Sequence, residues 1–188
     1  MSHPAGAETA ATVPAEFPDD LPRAVEEGKQ ALAAGDLAGA LDAFALVVER
    51  FPAQPEGHNN LGALYTAVGQ HARAEECFCR VLELLPDQPN VLYNRGIVRS
   101  RRQDHEGAAA DFAQVAAIVP DDADAWNNLG VSLYMLDRFE EARDRFRDAL
   151  QRRPDSVNAA LNLCDAHLAL GQVATAAADL RSFLVLRD

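Results

Sequence analysis

From residue 21 onward, apolar residues recur three and four positions apart, in blocks of about 13 residues separated by short polar breaks. This spacing places the apolar side chains on one face of a helix and is typical of an amphipathic α-helix. Two kinds of break alternate: a turn such as Gly69–Gln70, and a proline such as Pro86, which cannot continue a helix. The pattern therefore predicts short helices in pairs, with no strand.

The breaks repeat with a fixed period of 34 residues, and no insertion interrupts the count. A glycine recurs in the first helix of each pair, an alanine and a phenylalanine recur in the second, and a proline follows. The recurring residues are Gly28, Gly62, Gly96 and Gly130; Ala40, Ala74, Ala108, Ala142 and Ala176; Phe44, Phe78, Phe112 and Phe146; and Pro52, Pro86, Pro120 and Pro154. One hairpin leaves its apolar face in water, and stacking buries it, so the period predicts a solenoid.

With Trp126, Leu129 and Gly130 in the best-matching unit, this 34-residue pattern resembles the tetratricopeptide repeat (TPR). The resemblance implies an all-α fold: a TPR solenoid of about ten antiparallel helices, forming a right-handed superhelix with a concave groove lined by the first helix of each repeat. The predicted repeats are 21–54, 55–88, 89–122, 123–156 and 157–188. Residues 1–20 lack a hydrophobic period and carry no Lys or Arg, so they are predicted to be a disordered acidic N-terminal tail.

Charge and cysteine content limit the expected ligands and the expected cellular compartment. The net charge is −12, and an acidic surface repels phosphate, so neither nucleic acid nor an anionic membrane is an expected ligand. Three cysteines are too few for a disulfide scaffold, which favours reduced thiols in a reducing compartment. With no apolar run of transmembrane length and no recognisable secretory signal, we expect a cytoplasmic protein.

The resemblance also implies which side chains face the groove. The sixth position of four repeats is asparagine, here called the asparagine ladder, and apolar, aromatic and basic residues surround it. The predicted groove residues are Asn60, Asn94, Asn128 and Asn162 of the ladder, with Tyr93, Ile97, Arg101, Asn127, Val131 and Tyr134 around it. An amide offers a donor and an acceptor, which suits the backbone of an extended peptide. The alternative is that asparagine is simply the commonest residue at this position and supports neighbouring loops.

The third repeat departs from the pattern with a cluster of arginines. Arg95, Arg99 and Arg102 lie on one helix face, where like charges repel. Internal ion pairs are the favoured interpretation, with Glu75, Glu76 or Asp111 as partners for Arg95. A ligand site remains the alternative.

No catalytic or metal-binding pattern is present in the sequence. His58 and His167 stand at positions where the repeat family packs Trp and Tyr, so both are predicted to pack in or near the core. Cys164 and His167 are three residues apart, but a metal would need two further ligands at suitable spacing. We therefore predict no catalytic residue, no metal and no cofactor.

Two functions are implied by the repeat resemblance. The first is a non-enzymatic adaptor that binds a segment of a partner protein in the groove. The alternative is a structural or assembly subunit that works through its C-terminal end. The last helix carries Phe183 and Leu186 three residues apart, which predicts an exposed apolar stripe. Through this stripe, copies of the protein are expected to associate, or the protein is expected to dock on its partner.

Overall fold

The computed structural model describes residues 20–185, so the predicted tail up to residue 19 and Leu186 lie outside the described residues. Within this range the chain forms ten α-helices and no strand, which confirms the all-α prediction. The helices are α1 Asp20–Ala33, α2 Leu37–Arg50, α3 Pro55–Ala67, α4 His71–Leu84, α5 Pro89–Arg101, α6 His105–Ile118, α7 Ala123–Tyr134, α8 Phe139–Arg152, α9 Val157–Ala169 and α10 Val173–Val185.

Each helix packs chiefly on the helices before and after it in sequence, and the odd-numbered helices also meet one another, as α3 meets α5 and α7 meets α9. Five hairpins therefore stack in a row as a solenoid. The odd-numbered helices lie side by side and form one surface, here called the groove.

The repeated glycine and phenylalanine meet inside each hairpin. A Cβ atom added to Gly130 would lie 2.5 Å from Cε1 of Phe146, which is closer than two carbon atoms can approach. The Phe146 ring is buried, and the other three phenylalanines of this set are equally enclosed. Glycine is therefore needed so that the two helices can close on the ring. In the fifth repeat both members change together, to Cys164 and Leu180.

The turns inside the hairpins require a left-handed residue. Gly35, Gly69 and Gly171 occupy this position with φ between 73° and 77°. The third and fourth repeats place Gln103 (φ 64°) and Asp137 (φ 57°) in the same conformation. The turn is therefore kept even where the sequence supplies no glycine.

Ring nitrogens of Trp126 and His58 contact backbone carbonyl oxygens in the connections between repeats. Nε1 of Trp126 donates to the carbonyl of Pro120 over 2.9 Å, and Nε2 of His58 lies 3.1 Å from the carbonyl oxygen of Pro52. His58 is buried, as its packing position predicts. The Trp126 ring also lies under the guanidinium of Arg152, 4.5 Å from the ring centroid, which is a favourable cation–π distance.

Within residues 20–185, no helix combines the length and the apolar character needed to cross a bilayer.

Candidate peptide-binding groove

The predicted groove residues fall into two groups by exposure. Asn94 and Arg101 are exposed, whereas the other eight are half-buried. The apolar members Tyr93, Ile97 and Val131 pack at their inner side against the core around Phe112. Their outer side faces the groove, so the surface is anchored to the core and still accessible.

The asparagine ladder is joined across repeats by hydrogen bonds. Nδ2 of Asn162 donates to Oδ1 of Asn127 over 2.9 Å, and Nδ2 of Asn128 donates to the Tyr93 hydroxyl over 2.8 Å. A longer contact of 3.5 Å runs from Nδ2 of Asn127 to Oδ1 of Asn128. In repeats four and five, the ladder amide therefore uses one N–H for a hydrogen bond to the fifth position of the preceding repeat. These two asparagines support the packing of adjacent repeats, and their contact with a peptide stays a prediction.

Asn60 shows why this pairing needs a polar neighbour. The fifth position of the first repeat is Val25, which is buried and has no polar group to offer. The Nδ2 atom of Asn60 is buried without a hydrogen-bond partner among the described residues. Asn94, by contrast, is exposed and forms no hydrogen bond through its side chain within residues 20–185. Asn94 is therefore the ladder member with both amide groups open to a ligand.

A first cavity lies beside Asn94, where α5 meets the connection between α6 and α7. It measures about 540 Å³, and Asn90, Tyr93, Asn94, Asp122 and Asp124 supply its polar lining. Burial, and next the charge of Asp124, raise the pKa of the Tyr93 hydroxyl. This hydroxyl therefore stays protonated at neutral pH and can act as a donor.

A second, smaller cavity lies in the groove between repeats four and five. Its lining consists of Val131, Tyr134, Phe146, Asn162 and Asp165, and its volume is about 100 Å³. Val131, Tyr134 and Asn162 are groove residues predicted from the sequence, and the structure brings them to one place. Phe146 was predicted only as a core residue. Its periodic position gives no sign that the ring also lines a cavity.

The C-terminal part of the groove exposes apolar side chains. Leu161 and Leu168 on α9 and Met135, just beyond the end of α7, are each about half exposed. The resemblance to the TPR also implies that the fifth, twelfth and thirteenth positions of a repeat face the groove, and Leu161, Leu168 and Met135 occupy these positions. This surface can therefore take up apolar side chains of a bound segment.

The arginine cluster is paired internally, as the favoured interpretation predicts. Arg95 makes a bidentate contact with Asp111, at 3.0 Å through Nε and 2.6 Å through Nη2. Arg99 bonds to Asp111 at 3.0 Å and to Glu75 at 2.9 Å, and Arg102 also bonds to Glu75. These five residues, here called the ion network, connect α4, α5 and α6.

Burial acts against the charge of Arg95, but the hydrogen bonds and charge of Asp111 outweigh it and raise the pKa of the guanidinium. Asp111 has a side chain only 2% exposed and serves two arginines. The network therefore consists of charged groups that require one another.

His167 is fully buried and links α9 to α10. Its Nδ1 lies 2.6 Å from Oε1 of Gln172, and its Nε2 lies 3.2 Å from a carboxylate oxygen of Asp179. The predicted packing role is confirmed, with polar contacts added to it.

The prediction that Phe183 forms an exposed stripe is wrong. Its side chain is only 8% exposed and lines a cavity with Leu150, Ala160 and Leu163. Phe183 lies seven residues after Ala176, which is also buried, so it continues the face of α10 that packs inward. The exposed apolar residues at this end are Leu184 and Val185.

Among the described residues, no group of three or more His, Cys, Asp and Glu side chains is placed to hold a metal ion. Burial, with a smaller contribution from Glu76, raises the pKa of the Cys77 thiol to about 11. Cys77 is therefore protonated at neutral pH and a poor nucleophile.

Family models described as tetratricopeptide repeat match residues 25–89, 61–125, 123–156 and 157–181. Together with ten helices in five hairpins, these matches show that the chain belongs to the TPR family. The class this defines is a TPR solenoid, and the predicted fold is confirmed.

Solved structures of MamA proteins share the fold. One MamA crystal structure aligns with a TM-score of 0.86 at 19% identity, covering 89% of this chain and 92% of that chain. A MamA from Desulfovibrio magneticus RS-1 aligns with a TM-score of 0.83 at 21% identity, covering 90% and 96%. At these identities the likeness establishes the fold alone. No curated protein matches the sequence.

The family and the fold support a role in protein interaction or assembly. TPR proteins are typically adaptors without catalytic activity.

Proposed function

We propose that this protein is a non-enzymatic adaptor that binds a segment of a partner protein in its groove. The observation that carries the proposal is the exposed apolar and amide surface along α5, α7 and α9, with a cavity at its C-terminal part. Leu161 and Leu168 are exposed on a helix whose other face is buried in the core, which supports a role as apolar contacts of a bound segment. An apolar surface with adjacent amides suits an extended or helical peptide.

The contacts within the ladder decide which residues test the proposal. Asn128 and Asn162 hold repeats together, so replacing them would mix loss of binding with loss of packing. Asn94 and Leu168 are exposed, and no ion pair or hydrogen bond within residues 20–185 uses their side chains. They are therefore the cleaner probes.

The test selects binders for the whole chain from a displayed library of random 12-residue peptides and measures their affinity for variants by fluorescence anisotropy. Leu168→Glu is expected to weaken the selected peptides at least about tenfold, because it places a charge in an apolar contact. Asn94→Ala is expected to weaken them by about 1 kcal/mol, the usual contribution of one hydrogen bond. Leu46→Glu on α2 is the matched control, because Leu46 is similarly exposed but lies on an even-numbered helix outside the groove. Selected peptides that bind Leu168→Glu as well as they bind Leu46→Glu would disprove groove binding.

A second candidate function is assembly through the C-terminal end, with a revised set of residues. Leu184 and Val185 are 56% and 74% exposed, and both lie in the last turn of α10. If copies associate here, Leu184→Glu with Val185→Lys converts an oligomer to a monomer in multi-angle light scattering. A wild-type chain that is monomeric at high concentration rules out this self-association.

A further inference from the structure

The small cavity between repeats four and five has apolar walls and two polar side chains. Val131, Tyr134 and Phe146 supply aliphatic and aromatic surface, and Asn162 and Asp165 supply the polar atoms. The Tyr134 ring is held edge-to-face against Phe139, with centroids 5.1 Å apart. The cavity volume of about 100 Å³ suits a slender side chain better than a bulky one.

Both polar groups of the cavity have acceptor oxygens that are unused among residues 20–185. One N–H of the Asn162 amide bonds to Oδ1 of Asn127, and the Oδ1 atom of Asn162 receives no hydrogen bond within this range. Asp165 is exposed, and its carboxylate forms no ion pair within the same range. A ligand group that donates hydrogen bonds can satisfy both oxygens, and a positive charge would complement Asp165.

A positive charge also fits the wider surroundings. The aromatic ring of Tyr134 attracts cations through its negative face. The net charge of the chain is −12, which favours the approach of a basic segment and opposes an acidic one. Lysine combines a narrow aliphatic stem with a compact ammonium group that has three donors, whereas arginine ends in a wide planar fork.

We propose that this cavity binds a lysine side chain of the partner segment. The stem lies along Val131 and Phe146, and the ammonium group donates to Asp165 and to Oδ1 of Asn162. The proposal rests on groove binding as the proposed function, and it adds that the bound segment is basic at the point where it crosses repeats four and five.

The test uses peptides selected from the 12-residue library whose binding is lost in Leu168→Glu. In each peptide, every lysine is replaced in turn by norleucine, which keeps the aliphatic stem and removes the charge. One replacement is expected to weaken binding to the wild-type chain about tenfold, consistent with loss of a charge-assisted hydrogen bond. The same replacement is expected to have little effect on binding to the Asp165→Asn variant, because this variant has already lost the interaction that the replacement removes.

Asp42→Asn serves as the matched control. Asp42 is exposed on α2, away from the cavity, and its replacement removes the same charge. It should leave the lysine dependence of the peptides intact. Asp165→Lys should in addition reverse the preference, so that a peptide with glutamate in place of the sensitive lysine binds better than the original.

The outcomes separate the two proposals. Groove-dependent peptides with no lysine dependence, or with a dependence that Asp165→Asn leaves unchanged, overturn the lysine cavity and keep groove binding. A loss of lysine dependence in Asp42→Asn as large as in Asp165→Asn also overturns it, since the effect would then be that of overall charge. If no selected peptide is sensitive to Leu168→Glu, both proposals fail. Thermal melts of each variant confirm that the exposed substitutions leave the fold intact.

Discussion

Gln103 occupies the turn position that glycine fills in repeats one, two and five. Its φ of 64° lies in the left-handed region, where a residue with a Cβ atom is strained by roughly 1 kcal/mol. Asp137 has the same left-handed conformation in repeat four, but aspartate tolerates this conformation better than most residues. The hairpin geometry therefore overrides the local preference of the chain at Gln103.

Gln103→Gly is expected to stabilise the protein by about 0.5–1 kcal/mol, because it relieves the strain while adding some entropy to the unfolded chain. Urea denaturation measures this as a higher midpoint at an unchanged slope. Gln88→Gly is the control, since Gln88 has φ −88° and carries no such strain. A Gln103→Gly protein that is no more stable than Gln88→Gly would contradict the interpretation.

Asn128 shows at the same scale that a predicted groove residue also supports the fold. Its Nδ2 donates to the Tyr93 hydroxyl across the repeat boundary. The residue type is equally suited to a peptide ligand and to its own neighbour, so the type alone does not reveal which group is available.

At the scale of elements, the ion network replaces apolar packing between α4, α5 and α6. Repeats two and four carry leucine at the position equivalent to Arg95. At the position equivalent to Arg99, repeat two carries tyrosine and repeat four carries leucine. Such a network contributes little compared with apolar packing, because desolvation offsets the attraction, but losing one partner leaves a buried charge unpaired.

Asp111→Ala is expected to cost about 3–5 kcal/mol, because two largely buried arginines lose their shared carboxylate. Replacing the whole unit, as Arg95→Leu, Arg99→Tyr and Asp111→Ala together, should return stability to within about 1 kcal/mol of the wild type or above it. Glu75 then keeps Arg102 as its partner. Urea denaturation of the single and triple variants measures both changes, and a triple variant as unstable as Asp111→Ala would refute the argument.

The glycine–phenylalanine contact is a second property of the hairpin. Gly130→Ala is expected to destabilise the protein by roughly 1–2 kcal/mol, because the added Cβ overlaps the Phe146 ring. The energetic cost of this overlap is expected to exceed the gain from the higher helix propensity of alanine. Adding Phe146→Leu to Gly130→Ala should cost less than the sum of the two single changes, because the fifth repeat combines Cys164 with Leu180. A double-mutant cycle by thermal or urea unfolding measures this coupling. Strictly additive effects would contradict it.

At the scale of the whole molecule, stability is a sum over neighbouring repeats. Each helix packs mainly on its sequence neighbours, so no single core spans the chain. Phe112 lies in the central cluster, together with Leu129 and Leu133 of the following repeat. The integrity of the solenoid therefore depends on this middle region more than on either end.

Phe112→Ala is expected to cost about 3–5 kcal/mol and to separate the unfolding of the two halves. Trp126 is the single tryptophan and reports on repeat four, whereas circular dichroism reports on all helices. The two signals should diverge in urea for Phe112→Ala. Phe44→Ala in the first repeat is the control and should leave the fluorescence transition nearly in place. Coincident transitions with a small shift in Phe112→Ala would refute the expected separation.

The sequence by itself determined the repeat length, the helix pairs, the recurring core residues and the family. These follow from local periodicity, which fixes the inward face of each helix, and from a fixed spacing, which makes each hairpin pack like the next. It also offered Glu75, Glu76 and Asp111 as candidate partners of Arg95, and it predicted the groove positions through the family resemblance.

Only the tertiary structure decided which groups remain available. Arg95 pairs with Asp111, Asn162 donates one N–H to Asn127, and Phe183 packs against the core. Each of these contacts joins different helices. A periodic pattern assigns a residue to a face, but the hydrogen-bond partner and the burial of that residue depend on the side chains that the neighbouring helices bring to it. The cavity at Asn162 and Asp165 arises in this way, from two adjacent repeats whose side chains meet only when the solenoid is formed.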